Sequence, residues 1–242
     1  MAAEIKVEPT NGNLSDRVTR YLISYIRTNQ LKSGATVPSE VRVSSDLGVS
    51  RGIVREAFRA LKMAGVLDIS NGRSPKVGRL NDEGIGQILQ HALSTEQATI
   101  EQVLDLRAAI EIRGAELAAM HRSTKHMTAI LKEVAHMQAA MDSESRFIEA
   151  DTRFHEAIAQ ATGNPLFGVV GGALRGSLTA SIRAGLRNRT TRRQLDQIVA
   201  THERIAEAIC DQDAAQARKY MTIHFQEALL SFRSRSKAAP DS

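Results

Sequence analysis

Asp151 and His155 stand four residues apart, a spacing that places both side chains on one face of a helix. The same face carries Phe147, Phe154 and Ile158, which makes it the buried one. His202 falls on the stripe of Leu195, Ile198, Val199, Ile205 and Ile209. His224 falls on that of Ala217, Tyr220, Met221 and Ala228. Three helical segments therefore each aim lone pairs into a core. A buried polar group without a partner costs on the order of 2–7 kcal/mol, and a charge costs more. One divalent cation per chain would satisfy Asp151, His155, His202 and His224 together. Imidazole nitrogen and carboxylate oxygen suit zinc first, with nickel, iron or manganese as alternatives. Three imidazoles argue against calcium and magnesium. Taken singly, each histidine reads as a hydrogen-bonded core residue; their shared inward placement favours a metal. His91, His121, His126 and His136 show no such pattern.

Arg107 lies on the inward stripe of Ile100, Val103, Leu104, Gly114 and Ala118. Its guanidinium could grip a ligand carboxylate through two parallel hydrogen bonds, or pair internally with Glu111 one turn on. The small-residue run Gly168, Gly171, Gly172 and Gly176 lacks the preceding strand and the lysine of a phosphate loop, so close helix packing accounts for it better. No nucleophile with an adjacent base stands out, which argues against an enzyme.

A second constellation is basic. Arg51, Arg55 and Arg59 repeat every four residues on one face, while Val54, Ala57, Phe58 and Leu61 take a different stripe. Ser50 is a good N-cap for this helix, and a tight turn at Gly48 separates it from a shorter helix before it. A short helix with an apolar back and an arginine ladder suits a DNA major groove. Asn71-Gly72 then sits between short apolar runs, the strongest local hairpin signal, with Arg73 and Lys76 beside it. Upstream, Leu14, Val18, Leu22, Ile23 and Ile26 make a helical stripe closed by Asn29 and Gly34. Helix, helix-turn-helix and two-stranded wing together make a winged helix.

The rest of the chain must hold the histidines. Consecutive helical patterns run over 85–94, 100–121, 125–141, 144–162, 165–186, 191–210 and 213–233, with short breaks that imply antiparallel neighbours in a bundle. The fold class is mainly α: an N-terminal winged helix-turn-helix and a C-terminal all-α antiparallel bundle. The expected division is a tail at 1–13, a DNA-binding domain at 14–79, a linker at 80–86, an effector and dimerisation domain at 87–233, and a tail at 234–242. Charge agrees with this division. Of the 242 residues, the first 80 hold 13 Lys and Arg against 7 Asp and Glu, and the remainder hold 19 against 20. The basic excess belongs to the part expected to meet phosphates. The basic cluster at 187–193 reads as a solvated loop. Cys210 is alone, which excludes an intramolecular disulfide and suits a reducing compartment. No apolar run approaches a membrane span, so a soluble cytoplasmic protein is expected.

The run Pro38-Ser39-Glu40, Asp46 to Leu67 and Asn71-Gly72-Arg73 resembles the GntR family of bacterial regulators over residues 14–79. Such regulators usually carry a basic residue directly after Pro-Ser-Glu, where this chain has Val41 followed by Arg42. Asp151-x-x-Phe154-His155, His202 and His224, with Leu106 to Glu111, Ala115 to Ala119 and Gly163-Asn164-Pro165, resemble the FCD effector domain of the FadR-type members. The resemblance implies a divalent metal on the aspartate and three histidines, with a small carboxylate metabolite beside it, and tips Arg107 and Asn164 towards effector binding. It implies DNA contacts from Arg42, Ser50, Arg51, Gly52, Arg55, Arg59, Asn71, Gly72 and Arg73. The expected function is a homodimeric transcription factor, a repressor reading an inverted-repeat operator and switched by a small organic acid. The rival is an all-α metal-dependent enzyme joined to a DNA-binding domain.

Overall fold

The computed structural model describes residues 13–70, 72–178 and 192–236. The chain divides into two compact units, Met1–Gly84 and Ile85–Ser242.

The first unit holds α1 (Leu14–Thr28), α2 (Glu40–Leu47), α3 (Arg51–Met63), β1 (Leu67–Asp68) and β2 (Lys76–Val77). Asn13, Ser39 and Ser50 cap the three helices by accepting from the backbone N–H groups of Ser15, Arg42 and Ile53. Gly48 ends α2 with a left-handed φ of 63°, and the Ser44 hydroxyl donates to the Val49 carbonyl at 2.7 Å, fastening the turn between the helices. The core is formed by Val18, Leu22, Val43, Val54, Phe58 and Leu67 with their neighbours. The expected α1 stripe needs correction: Leu14 and Ile23 are exposed, and Tyr21 takes a buried place beside Val18 and Leu22.

The wing also differs from the tight hairpin expected at Asn71-Gly72. Leu67 pairs with Val77 and Asp68 with Lys76, so residues 69–75 lie between the paired strands. The segment around Ala35 pairs with β2 as well: Val77 N donates to Ala35 O at 2.8 Å and Gly34 N to Val77 O at 2.8 Å. Pro75 has no N–H for a ladder, and its carbonyl accepts from Val37 N at 3.0 Å instead. At the wing's exit a Cβ on Gly78 would come within 2.1 Å of the Gly65 carbonyl oxygen, a contact only glycine permits.

The second unit contains α4 (Glu83–Ser94) from Ile85 onward, then α5 (Ile100–His121), α6 (Thr124–Ala139), α7 (Glu144–Ala161), α8 (Pro165–Ser177), α9 (Arg192–Cys210) and α10 (Ala214–Ser236). Glu83 is already helical, with its N–H donating to Asn81 Oδ1 at 3.3 Å, so the connector expected over 80–86 is shorter. Likewise α10 continues to Ser236 through the start of the expected C-terminal tail. The α8 pattern was expected to run to 186 but ends at Ser177, and residues 179–191, including most of the basic cluster, lie outside the described residues. Helix α5 packs on α7, α8, α9 and α10, while α6 packs on α7 and α9. Ala115, Ala118, Ala150, Ala161, Ala206 and Ala217 are buried at these contacts, and their small size lets the helices approach closely around Phe154, Ile205 and Met221. A satellite cluster of Val103, Leu174 and Leu178 receives Leu89 and Leu93 of α4.

Candidate nucleic-acid interface and candidate metal centre

On α3 the apolar stripe is buried and the arginine ladder is not. Val54, Ala57, Phe58 and Leu61 enter the core, and Arg51, Arg55 and Arg59 are exposed. Two ladder-side cations have acidic neighbours that the sequence reading did not pair with them. Glu40 Oε2 lies 3.6 Å from Arg55 Nε, and Asp46 Oδ2 lies 3.6 Å from Arg42 Nε. Asp46 also accepts from the Tyr21 hydroxyl at 3.0 Å. Burial, and then this hydrogen bond, push the Tyr21 phenol up to about 12. Ser50 serves as the cap of α3. Gly52 sits in open space: a Cβ there would meet only Ser50 Oγ, at 3.9 Å. Gly72 has φ 73° with nothing near it, and Arg73 is exposed, its N–H donating to Ser70 O at 3.2 Å. Asn71 lies outside the described residues.

In the bundle, α7, α9 and α10 bring His155, His202 and His224 together, with one ring nitrogen of each inside 4.8 Å of the others. Asp151, one turn before His155, points its Oδ1 at the same spot, 3.0 Å from His202 Nε2 and 3.7 Å from His155 Nε2. Donors bound tetrahedrally to zinc at about 2.0–2.1 Å stand about 3.3 Å apart, so the aspartate contacts already fit and the widest imidazole pair must draw in. Phe154 walls the cluster, its ring centroid 4.9 Å from that of His202.

The surroundings act differently on each of the four donors. His202 Nδ1 sits 2.8 Å from the Ile198 carbonyl, which can only accept, so Nδ1 carries a proton, and this bond turns Nε2 to Asp151 Oδ1 at 3.0 Å. Burial, reinforced by His202 and His155, holds His224 well below its ordinary value and therefore neutral. Burial would raise Asp151, but His155 and His202 outweigh it and keep the carboxyl well below its usual range. Burial would lower His155, yet Glu111 and Asp151 outweigh it and raise the imidazole. Nε2 of this buried histidine, 3.7 Å from Asp151 Oδ1, lacks a hydrogen-bond partner. Nδ1 lies 2.5 Å from Glu111 Oε2, so that carboxylate is the natural acceptor for the Nδ1–H and leaves Nε2 turned to the cluster. A buried imidazole nitrogen without a partner, among three more donors, fits a divalent cation.

Glu111 is the residue the sequence reading named only as a partner for Arg107, and Arg175 is one it missed. Arg107 Nε donates to Glu111 Oε1 at 2.6 Å, and Arg175 Nη1 of α8 donates to the same oxygen at 3.2 Å. All three side chains are buried. Burial would raise Glu111, but Arg107, His155 and Arg175 outweigh it and hold it well below the carboxylate range. Arg107 also lies 5.2 Å over the Phe225 ring. Asn164 is an N-cap: its Oδ1 accepts from Leu166 N at 3.0 Å, at the exposed start of α8.

Residues 14–77 match the profile of bacterial regulatory proteins of the gntR family, and residues 102–227 match the FCD domain. The chain belongs to the GntR family. This GntR member is a DNA-binding transcriptional regulator, with an N-terminal helix-turn-helix and a helical FCD domain. It is 32% identical over 185 residues to the Glc operon transcriptional activator of Escherichia coli K12, covering 74% of this chain and 73% of that one. It is 27% identical over 227 residues to the transcriptional repressor NanR of Salmonella newport, covering 93% and 87%. Among solved structures, Streptococcus agalactiae GntR superposes with a TM-score of 0.64 at 20% identity, covering 88% of this chain and 98% of that one. E. coli McbR/YncC does so at 0.52 and 15%, covering 93% and 99%. The GntR fold is thus shared well beyond close sequence likeness. Among the described residues no helix is long and apolar enough to cross a membrane.

Proposed function

We propose that this GntR regulator is a cytoplasmic homodimeric repressor whose operator affinity is set by a small organic acid bound beside a divalent metal in the FCD bundle. The observation that carries the reading is the convergence of Asp151, His155, His202 and His224, with the unpartnered Nε2 of His155 among them and the arginines of Glu111 one layer away. Asp151, His155, His202 and His224 would hold the metal, zinc first, with nickel, iron or manganese as alternatives. A bound divalent ion supplies a Lewis-acid docking point for a carboxylate.

Arg51, Arg55 and Arg59 read or grip the operator from α3, with Ser50 and Gly52 allowing close backbone approach. Arg42, Gly72 and Arg73 add outer contacts. A single winged helix neutralises too few phosphates for the 10⁻⁸–10⁻¹¹ M affinities typical of operators, which supports two copies on an inverted repeat. Effector binding shifts operator affinity by its difference in affinity for the two states of the dimer. The curated relatives are regulators, which supports the non-enzymatic reading.

The test is elemental analysis of protein purified without chelator or immobilised nickel, followed by operator titration with candidate acids, with and without the metal. A metal-dependent change in operator affinity is expected. Metal-free protein that responds normally to an acid would overturn the reading, and sedimentation showing a monomer bound tightly to one half-site would overturn the dimer.

A further inference from the structure

Glu111 sits between two guanidiniums that reach it from different helices. Arg107, on its own helix, and Arg175, on α8, both donate to Oε1, at 2.6 Å and 3.2 Å. Two planar forks therefore share one oxygen of one carboxylate. Arginine binds carboxylate best when each fork takes both oxygens in parallel hydrogen bonds, and a single carboxylate cannot do that for two arginines. The mismatch is visible in the atom left over: Arg107 Nη2 is buried without a hydrogen-bond partner, while the second oxygen of Glu111 is taken up by His155 Nδ1 at 2.5 Å. Glu111 also walls a small pocket between α5, α7 and α8, with Ile110, Gly114, His155, Phe167 and Arg175. With the Glu111 carboxylate in place the pocket holds about 10 Å³, room for a single water.

We infer that Glu111 is an internal stand-in for the effector's carboxylates, and that the effector is a small dicarboxylic acid which displaces it and gives Arg107 and Arg175 one carboxylate each. Displacement opens the pocket by the volume of the departing side chain and pairs the buried arginine atom that Glu111 leaves bare. It also moves the carboxylate that crowds His155 Nδ1, which ties ligand entry to the histidine cluster. The inference rests on the proposed acid-binding function of the bundle and goes further by naming the class of acid.

The experiment is calorimetric titration of the full chain with acetate and lactate against malonate and succinate at matched ionic strength. Each is repeated with Glu111→Gln and Arg175→Met, and metal content is measured in every sample. The dicarboxylates should bind wild type at least roughly tenfold more tightly than the monocarboxylates, the worth of one added charged hydrogen-bond pair. Glu111→Gln keeps the shape and removes the competing charge, so dicarboxylate affinity should rise by about tenfold. Arg175→Met keeps much of the apolar stem, and should erase the dicarboxylate preference while metal content stays as in wild type. A fixed structural brace predicts the opposite sign, weaker binding in Glu111→Gln. That result, or equal binding of both acid classes by wild type, overturns the inference and leaves acid binding standing. Failure of every acid to bind wild type overturns both.

Discussion

Glu40, in the first turn of α2, reaches across to α3 and sets its Oε2 3.6 Å from Nε of Arg55, the middle rung of the exposed arginine ladder. An exposed pair of this kind contributes about 0–1 kcal/mol to stability, so Glu40→Gln should leave the melting temperature almost unchanged. Its effect is expected on DNA, because the carboxylate limits where the guanidinium can point. Glu40→Gln should narrow the ratio of operator to random-sequence affinity.

Arg55→Ala should weaken operator binding by about 1–3 kcal/mol with little change on random DNA, the signature of a lost base contact. Arg73→Ala should instead weaken all sequences alike and reduce the salt slope by roughly one. Anisotropy titrations over a range of salt concentrations separate the two. Equal operator affinity for wild type and Arg55→Ala would remove Arg55 from the reading set.

Removing His202 should empty the candidate metal centre. His202→Ala is expected to lower metal content and the melting temperature of the bundle, while operator binding without effector is retained. A ligand present at 100 times its dissociation constant adds about 2.7 kcal/mol of stability, so chelation of wild type should produce a comparable loss. Thermal melts with and without chelator check this, and identical curves count against a resident metal.

Phe154 is fully buried, with its ring edge-on to both His155 and His202. Phe154→Ala should cost about 3–5 kcal/mol and lower metal uptake beyond the loss of fold, because the wall that fixes both rings is gone. Phe154→Leu, which refills most of the volume, should recover much of the stability. Chemical denaturation together with elemental analysis measures both.

Alkaline pH should unfold the winged helix through Tyr21. Its phenol is raised to about 12 in the folded unit, by burial and by donation to Asp46. In the unfolded chain a tyrosine titrates near 10. Between those values the folded state holds the proton more tightly, so the contribution is complete below about pH 10 and is lost as pH rises towards 12. Tyr21→Phe should flatten that decline. Stability measured from pH 8 to 12 for both proteins gives the comparison, and parallel curves would exclude Tyr21 as the cause.

Much of this architecture is legible in the sequence because it is periodic. The i, i+4 spacing of Asp151 and His155, and the apolar stripes around His202 and His224, place four donors on inward faces before any coordinates are known. The structure brings those four donors together. Other features depend on what packs across the way. Arg175 stands in a run of glycines and small apolar residues, with nothing local to announce that α8 delivers it to Glu111 on α5. The wing shows the same limit: Asn71-Gly72 signals a two-residue turn, but the strands pair only at Leu67 with Val77 and Asp68 with Lys76, and β2 also bonds to Gly34 and Ala35, far upstream in the sequence. The exposed Leu14 and Ile23 fit the α1 stripe by spacing, yet the core is full once Val18, Tyr21 and Leu22 are in place. Pattern identifies a face, and the partner element decides which of its residues are covered.

The pairing of α5 with α10 sets an order of events during synthesis. Residues 14–77 form a unit with a core of its own, and they leave the ribosome first, so the DNA-binding head can fold while the rest is still being made. The bundle has no such freedom. Its central helix waits for α10, and the histidine cluster stays open until His224 has emerged. A nascent chain therefore acquires a grip on nucleic acid well before it acquires the chamber that would govern that grip.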